Sequence, residues 1–191
     1  MGTHNRLMSL AAPNFPLAYL EIIAINPAAP GPAVGHKRWF GLDDPALQAR
    51  LLAGGPQLIH WVARSTVLDL HRLSFTALGL QPGVAVAASR PTPGGLLQWQ
   101  MLLRSDGALL HAGAVPTLIQ WQGTHPVSSM PSSGVSLQGL QLAGALPSGV
   151  QSLLHMPALR CADDAQLPAL TATLQTPQGL LALTSSPQSG P

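Results

Sequence analysis

Short apolar stretches separated by Pro and Gly run along the chain, and this pattern predicts many strands joined by turns. One of them, LAYLEIIAI, covers residues 17–25 and holds a single carboxylate, Glu21. Because the side chains of a strand alternate between two faces, Tyr19, Glu21 and Ile23 should share one face. Residues 3–10 are predicted as a strand as well, and a turn joins the two.

A helix is predicted in the middle of the chain. Residues 65–78 follow an apolar strand and are bounded by a capping serine and a glycine, which is typical of a helix. The apolar positions spaced for one face of it are Leu70, Leu73, Ala77 and Leu78. The sequence therefore predicts an amphipathic helix with its apolar side along these residues.

Five predicted elements follow the order strand, helix, strand, strand, strand, which is a βαβββ unit. They are residues 57–64, 65–78, 83–89, 96–104 and 117–122. The two strands before them look like the end of an earlier copy of the same unit. In such an internal repeat, Gln120 takes the place that Glu21 has in the first copy.

In the last third of the chain, the sequence pattern predicts a smaller unit in the order strand, helix, strand, strand. Its elements are residues 135–142, 148–155, 170–176 and 180–184. We therefore expect an α+β chain in three parts. These are a domain over residues 1–130, a βαββ appendage packed on it over 131–184, and a disordered tail over 185–191.

Charged residues are scarce, which narrows the classes of function. They make up 8% of the chain, while apolar residues make up 46% and can fill a sizeable core. An average protein has roughly 25% charged residues. The formal net charge is +2, and Lys37 and Arg38 are the only adjacent cations. Without a basic patch, nucleic acid binding has no electrostatic support, so we expect no nucleic acid partner.

Cys161 is the only cysteine, so the chain can form neither a disulfide framework nor a thiolate metal site. No apolar stretch approaches the roughly 18 residues of a membrane helix. No signal peptide is visible at the N-terminus. We therefore expect a cytoplasmic protein with no membrane partner.

Glu21 is the only glutamate of the chain, and it lies in an apolar strand, where a carboxylate is costly unless a partner satisfies it. Two interpretations stay open: an exposed or arginine-paired carboxylate, or a metal ligand or general base that faces a cavity. His60, in the stretch LIHWVA, is likewise either a core histidine or a metal ligand. Glu and His ligands suit Zn, Fe, Mn or Ni. Gln120 would add a weak oxygen ligand or serve as polar lining.

His4, Asn5 and Arg6 are three consecutive polar residues near the N-terminus. They form either a solvated strand end or one rim of a binding pocket. The motifs of several common enzyme classes are missing from the sequence: we find no phosphate loop, no dinucleotide fingerprint and no nucleophile elbow.

Several short segments are similar to one known family. They are GTHN at residues 2–5, YLE at 19–21, WFGLD at 39–43, the hairpin 96–107 with its Ser-Asp-Gly turn, and QW at 120–121 followed by HP at 125–126. With these segments, the chain resembles the glyoxalase-like domain family of the vicinal oxygen chelate superfamily over residues 2–135.

The resemblance implies paired βαβββ modules, the first one incomplete, that form an open cup-shaped mixed sheet over residues 1–130. In the superfamily, the first and last strands of each module supply metal ligands. The resemblance thus implies Glu21, His60 and Gln120 as ligands of a divalent metal, with Glu21 also as a catalytic base. Two departures are visible. The strand and helix that would open the first module do not occur in the sequence, so either the module begins upstream of Met1 or the cup is truncated. In addition, Gln120 replaces a carboxylate.

We expect a small carbonyl-bearing or oxygen-rich ligand in the cup. The expected ligand-binding residues are His4, Asn5, Tyr19, Trp99 and Trp121. Three functions stay open: a metal-dependent lyase or isomerase that works through an enolate, a module that binds or sequesters a small molecule, and a copy without activity. Because an incomplete first module exposes a sheet edge, we also expect a homodimer through that module.

Overall fold

A computed structural model describes residues 2–92, 94–147, 149–156, 158–162, 164 and 168–185. Its strands are β1 Thr3–Ser9, β2 Tyr19–Ile25, β3 Val62–Arg64, β4 Val84–Thr92, β5 Gly95–Leu103, β6 Thr117–Gln122, β7 Ser136–Ala143, β8 Leu159–Ala162, β9 Leu170–Thr176 and β10 Gly179–Thr184. Its α-helices are α1 Pro45–Gly54, α2 Leu68–Ala77 and α3 Val150–Leu154. The predicted α+β class is confirmed. None of the helices in the described part of the chain is long and apolar enough to cross a membrane.

The central sheet has four strands in the order β3-β6-β5-β4. β3 pairs with β6 in parallel, whereas β5 pairs with both β6 and β4 in antiparallel. With α2 between β3 and β4, this is the predicted βαβββ unit. β3 is shorter than the predicted strand 57–64 because the segment before it bonds elsewhere: Leu58 N donates to Thr184 O at 3.0 Å.

β1 and β2 form a separate antiparallel hairpin, in which the faces alternate as the sequence predicts. The face that carries Asn5 and Glu21 is turned toward the central sheet. On the same face, Ile23 packs against a cluster that contains Met101 of β5 and Ile119 of β6. The hairpin therefore covers the side of the central sheet that lies opposite α2.

The C-terminal sheet has the order β10-β9-β7-β8. It holds one strand more than the sequence predicts, because β8 follows α3 and pairs with β7 in parallel. β8 has only 4 residues, too few to show an alternating pattern. The sheet is bonded to the hairpin, since Leu137 N donates to Leu10 O at 2.9 Å. The predicted disordered tail 185–191 falls outside the described residues except for Ser185, whose N–H donates to Leu170 O.

A cluster of buried apolar side chains joins the central and C-terminal sheets. Its most buried members include Phe75 of α2, Leu118 of β6, Leu142 of β7 and Val150 of α3. Burial of a side chain of this size stabilises a fold by roughly 1.5–3 kcal/mol. The shared cluster therefore holds the C-terminal unit against the central unit.

The buried face of α2 is not the one that the sequence predicts. Phe75 is 1% exposed, whereas Leu70 and Leu73 are 60% and 56% exposed. The physical reason lies at the start of the helix, where Leu68 N donates to Gln120 Oε1 at 2.8 Å. This bond and the burial of Leu68 set the rotation of the helix, so Phe75, two turns later, points into the core. The spacing of apolar residues is a poor guide here because the solvent side also carries leucines.

We expect Phe75→Ala and Leu73→Ala to differ sharply although both residues lie on α2. Phe75→Ala should lower the free energy of unfolding by about 3–5 kcal/mol, since it leaves a cavity in the shared core. Leu73→Ala should change it by no more than about 0.5 kcal/mol, because this side chain is largely in water. Urea unfolding followed by circular dichroism measures both. Equal losses would mean that the helix is rotated from the orientation described.

Candidate functional site

A cleft lies between the hairpin and the open face of the central sheet. Its lining from the hairpin is Asn5, Leu7, Tyr19 and Glu21, and its lining from the rest of the chain is Trp39, Phe40, Val62, Arg90, Trp99, Met101, Ile119 and Trp121. The free space is about 50 Å³, which has room for a few water molecules or one small chemical group. A smaller space of about 20 Å³ near Leu110 has neither a carboxylate nor a histidine in its lining, so we place the candidate site in the first cleft.

A chain of three polar side chains crosses this cleft. Arg90 Nη1 donates to Asn5 Oδ1 at 2.6 Å, and Asn5 Nδ2 donates to Glu21 Oε1. Asn5 and Glu21 face each other because β1 and β2 pair Asn5 with Ile23, which places Glu21 on the same face diagonally opposite. In the described part of the chain, the bond from Asn5 is the one hydrogen bond to the Glu21 carboxylate. The single glutamate thus lies in an apolar strand because its side chain faces a polar spot in the cleft.

Tyr19 adds a neutral hydroxyl to the same wall. Burial raises the pKa of the Tyr19 hydroxyl above its usual range, the nearby Glu21 charge raises it further, and Arg90 opposes the shift. Tyr19 therefore stays protonated and can donate a hydrogen bond at any physiological pH. Its ring lies beside the His125 ring, with centroids 5.9 Å apart. The His125 pKa is held below its usual value by burial and by the nearby Arg64, so this imidazole is neutral at pH 7.

Two tryptophans face the hairpin across the cleft. Trp99 and Trp121 are direct register partners on β5 and β6, and their ring centroids lie 5.3 Å apart. Trp121 Nε1 is buried and has no hydrogen-bond partner among the described residues. Such a buried donor is rare in folded proteins and is usually satisfied by water or by a ligand. This unpaired N–H belongs to a residue that lines the cleft, but the nitrogen itself is buried beneath the cleft surface.

His60 lies outside the lining of this cleft. Thr117 N donates to His60 Nε2 at 3.1 Å, and the Thr117 hydroxyl lies 3.0 Å from the same nitrogen. A nitrogen that accepts a hydrogen bond carries no proton, so the neutral ring is protonated at Nδ1. Burial lowers the His60 pKa to about 4, an effect that the Gly113 backbone partly opposes. The geometry is that of a neutral histidine that joins two segments of the core.

Gln120 points away from the cleft. β6 alternates, so Ile119 and Trp121 line the cleft, whereas Gln120 faces α2 and its oxygen accepts from Leu68 N. The structure therefore does not bring together the three predicted ligands, and the arrangement does not fit an ion that Glu21, His60 and Gln120 hold jointly. No group of three or more His, Cys, Asp or Glu side chains that could hold a metal occurs among the described residues.

Four of the five residues predicted to bind the ligand line the cleft, and the fifth does not. Asn5, Tyr19, Trp99 and Trp121 line the cleft, whereas His4 is exposed on the outer face of β1. Arg90, the cation of the site, is not among the predicted site residues. The period of two along β4 places it on the face of the partly buried Val86 and Ala88. The predicted strand 83–89 stops just before Arg90, whereas β4 continues to Thr92.

Comparison with known families identifies the family of the chain. The family model described as a glyoxalase-like domain matches residues 1–156, which is most of the chain. The chain therefore belongs to the glyoxalase-like domain family, as its resemblance implied. The match runs through α3 and ends before β8. No curated protein and no solved structure gives a match.

The buried His60 should make stability depend on pH. Its pKa is about 4 in the folded chain and near 6.5 when unfolded, so the unfolded state binds the extra proton between these values. His60 therefore costs no stability above about pH 7, and the fold loses up to about 3 kcal/mol as pH falls from 6.5 to 4. His60→Gln keeps an acceptor for Thr117 N–H but does not titrate. The stability of wild type relative to His60→Gln, measured by urea unfolding, should fall over this pH range; parallel curves would contradict the assignment.

Proposed function

We propose that this chain binds a small carbonyl-bearing or oxygen-rich molecule in the cleft between the hairpin and the central sheet. One observation carries the proposal: Glu21, whose carboxylate has a free oxygen, lines a narrow cleft together with Arg90 and Tyr19. Two donor side chains and one acceptor suit a ligand with several oxygen atoms. An apolar ligand would leave these buried groups without partners, which is unfavourable.

The walls of the cleft suit the rest of such a ligand. Trp99, Met101 and Ile119 present apolar surface opposite the polar hairpin wall. A small organic molecule can place its carbon atoms against this surface while its oxygen atoms contact the donors. Most ligand sites combine apolar walls with a few placed polar groups in this way.

If the bound molecule is also converted, Glu21 is the group placed to move a proton. A carboxylate that accepts one hydrogen bond and keeps a free oxygen can take a proton from a carbon next to a carbonyl group. Arg90 and Tyr19 would then stabilise the negative charge that develops on the carbonyl oxygen. This is lyase or isomerase chemistry through an enolate.

A divalent metal would supply Lewis-acid chemistry at the same place. Glu21 is the member of the predicted ligand set that faces the cleft, so metal binding there would depend on it. The competing function is binding without turnover, as in a sequestering protein. The separation of Glu21, His60 and Gln120 favours this second function over a metal enzyme.

A location in the cytoplasm, expected from the sequence, belongs to the same proposal. So does a homodimer through the hairpin. In the described part of the chain, β2 pairs with β1 alone, so its other edge can accept a strand of a second copy. Size-exclusion chromatography with light-scattering detection measures the molar mass in solution and so tests the homodimer directly.

Binding can be measured through the chain's own fluorescence, because Trp39, Trp99 and Trp121 line the cleft. We expect at least one member of a panel of small ketones, hydroxy acids and oxo acids to change the tryptophan emission in a saturable way. Glu21→Gln should weaken that binding about tenfold, since it removes a charge-assisted hydrogen bond. Asp69→Asn, which removes a carboxylate from the exposed side of α2, should leave it unchanged.

Turnover and metal content are measured on the same samples. Proton exchange or product formation, followed by NMR, separates catalysis from simple binding. A divalent ion that wild type holds and Glu21→Gln loses would support metal-assisted chemistry. If no panel member binds to wild type, or if both variants bind equally, the proposed site is wrong.

A further inference from the structure

Two side chains of opposite charge, Arg90 and Glu21, line the cleft without forming an ion pair with each other. Arg90 and Glu21 each bond to the amide of Asn5, and no ion pair within the usual 4.0 Å joins them among the described residues. Each charged group bonds to one side of a neutral amide and keeps further bonding capacity. Arg90 has donors beyond Nη1, and Glu21 has its second oxygen.

The Asn5 amide shows what a ligand at this place must offer. The amide has its oxygen toward Arg90 and its N–H toward Glu21, and the opposite orientation would place like partners against each other. A ligand beside Asn5 that contacts both charged groups needs the same polarity. It must present an acceptor to Arg90 and, a short distance away, a donor to Glu21.

We propose that the ligand of this cleft is a small 2-hydroxy carboxylate, with its carboxylate on the Arg90 guanidinium and its hydroxyl on the Glu21 carboxylate. The proposal rests on the proposed function and names its ligand class. A carboxylate and a hydroxyl on neighbouring carbon atoms reproduce the acceptor and donor of the Asn5 amide. The guanidinium fork matches a carboxylate with two parallel hydrogen bonds.

The charge of Arg90 favours a carboxylate over a neutral acceptor. Arg90 is partly buried, and its described hydrogen bond goes to an uncharged oxygen, so no carboxylate among the described residues contacts the guanidinium directly. In the same part of the chain, Asp43, Asp69 and Asp106 pair with other arginines. Glu21 repels a ligand carboxylate, which directs that group to the Arg90 end and the hydroxyl to the Glu21 end.

The free space limits the size of the ligand. About 50 Å³ has room for a carboxylate and a hydroxyl on neighbouring carbon atoms and little more, so the smallest members of the class are the ones to test. Lactate is therefore a suitable probe, and its relatives separate the two contacts. Lactamide has the same shape without the negative charge, and propionate keeps the charge without the hydroxyl.

The experiment measures the binding of both enantiomers of lactate, of lactamide and of propionate at pH 7 by tryptophan fluorescence and calorimetry, in the presence of a metal chelator. We expect lactate to bind about 10- to 100-fold more tightly than lactamide, and about tenfold more tightly than propionate. Arg90→Gln should abolish most of the difference between lactate and lactamide. Arg90→Lys keeps the charge without the fork and should give an intermediate affinity.

Arg72→Gln is the matched control, because it removes one positive charge from the surface of α2, away from the cleft, and should bind lactate as wild type does. Thermal unfolding shows whether each variant is folded. If Arg90→Gln does not fold, Arg90→Lys still tests the proposal. Equal binding of lactate and lactamide, unchanged binding by Arg90→Gln, or binding that the chelator abolishes would each overturn the proposal. If neutral ketones bind while no carboxylate does, the ligand class is wrong and the proposed function stands.

Discussion

Strand β6 is the constraint on which both the core and the cleft depend. It lies between β3 and β5, so its backbone is bonded on both sides and its register cannot move without breaking two ladders. Leu118 and Gln120 point to α2, and Ile119 and Trp121 point to the cleft. A shift by one residue would exchange these two sets of side chains. The order of apolar and polar residues in one strand thus fixes the helix on one side of the sheet and the binding surface on the other.

The cleft, like the chain as a whole, contains few charged residues. The chain has few ionisable residues, and the cleft lining holds one cation, one carboxylate and the protonated Tyr19 hydroxyl. The site is therefore close to neutral as a whole but strongly polar along the line from Arg90 to Glu21. Such a site selects a ligand by the direction of its dipole and hydrogen bonds more than by its total charge.

Local patterns predicted the parts of the fold that depend on neighbouring residues. The alternation in the hairpin placed Tyr19 and Glu21 on one face correctly. The order of the elements over residues 57–122 likewise followed from neighbouring residues and is the order observed.

The sequence predictions that failed concern contacts between residues that lie far apart in the chain. The rotation of α2 depends on Gln120, 52 positions after Leu68, and no pattern within the helix contains that information. His60 likewise has its ring nitrogen bound by Thr117, which lies 57 positions away. Arg90 was missed because its role depends on Asn5, a residue 85 positions away that meets it across the cleft.

The bond between Leu137 and Leu10 has a consequence for how the cleft can vary. It ties the end of the hairpin to β7, and the Ser133 hydroxyl also donates to Ser9 O nearby. No described residue of the C-terminal sheet lines the cleft, yet this sheet anchors the wall that carries Glu21. Three of its four strands, β8, β9 and β10, lie beyond the part of the chain that matches the family. A change in the C-terminal sheet of this chain would therefore move the hairpin wall relative to Trp99 and Trp121, and the width of the cleft would change without any change in the residues that line it.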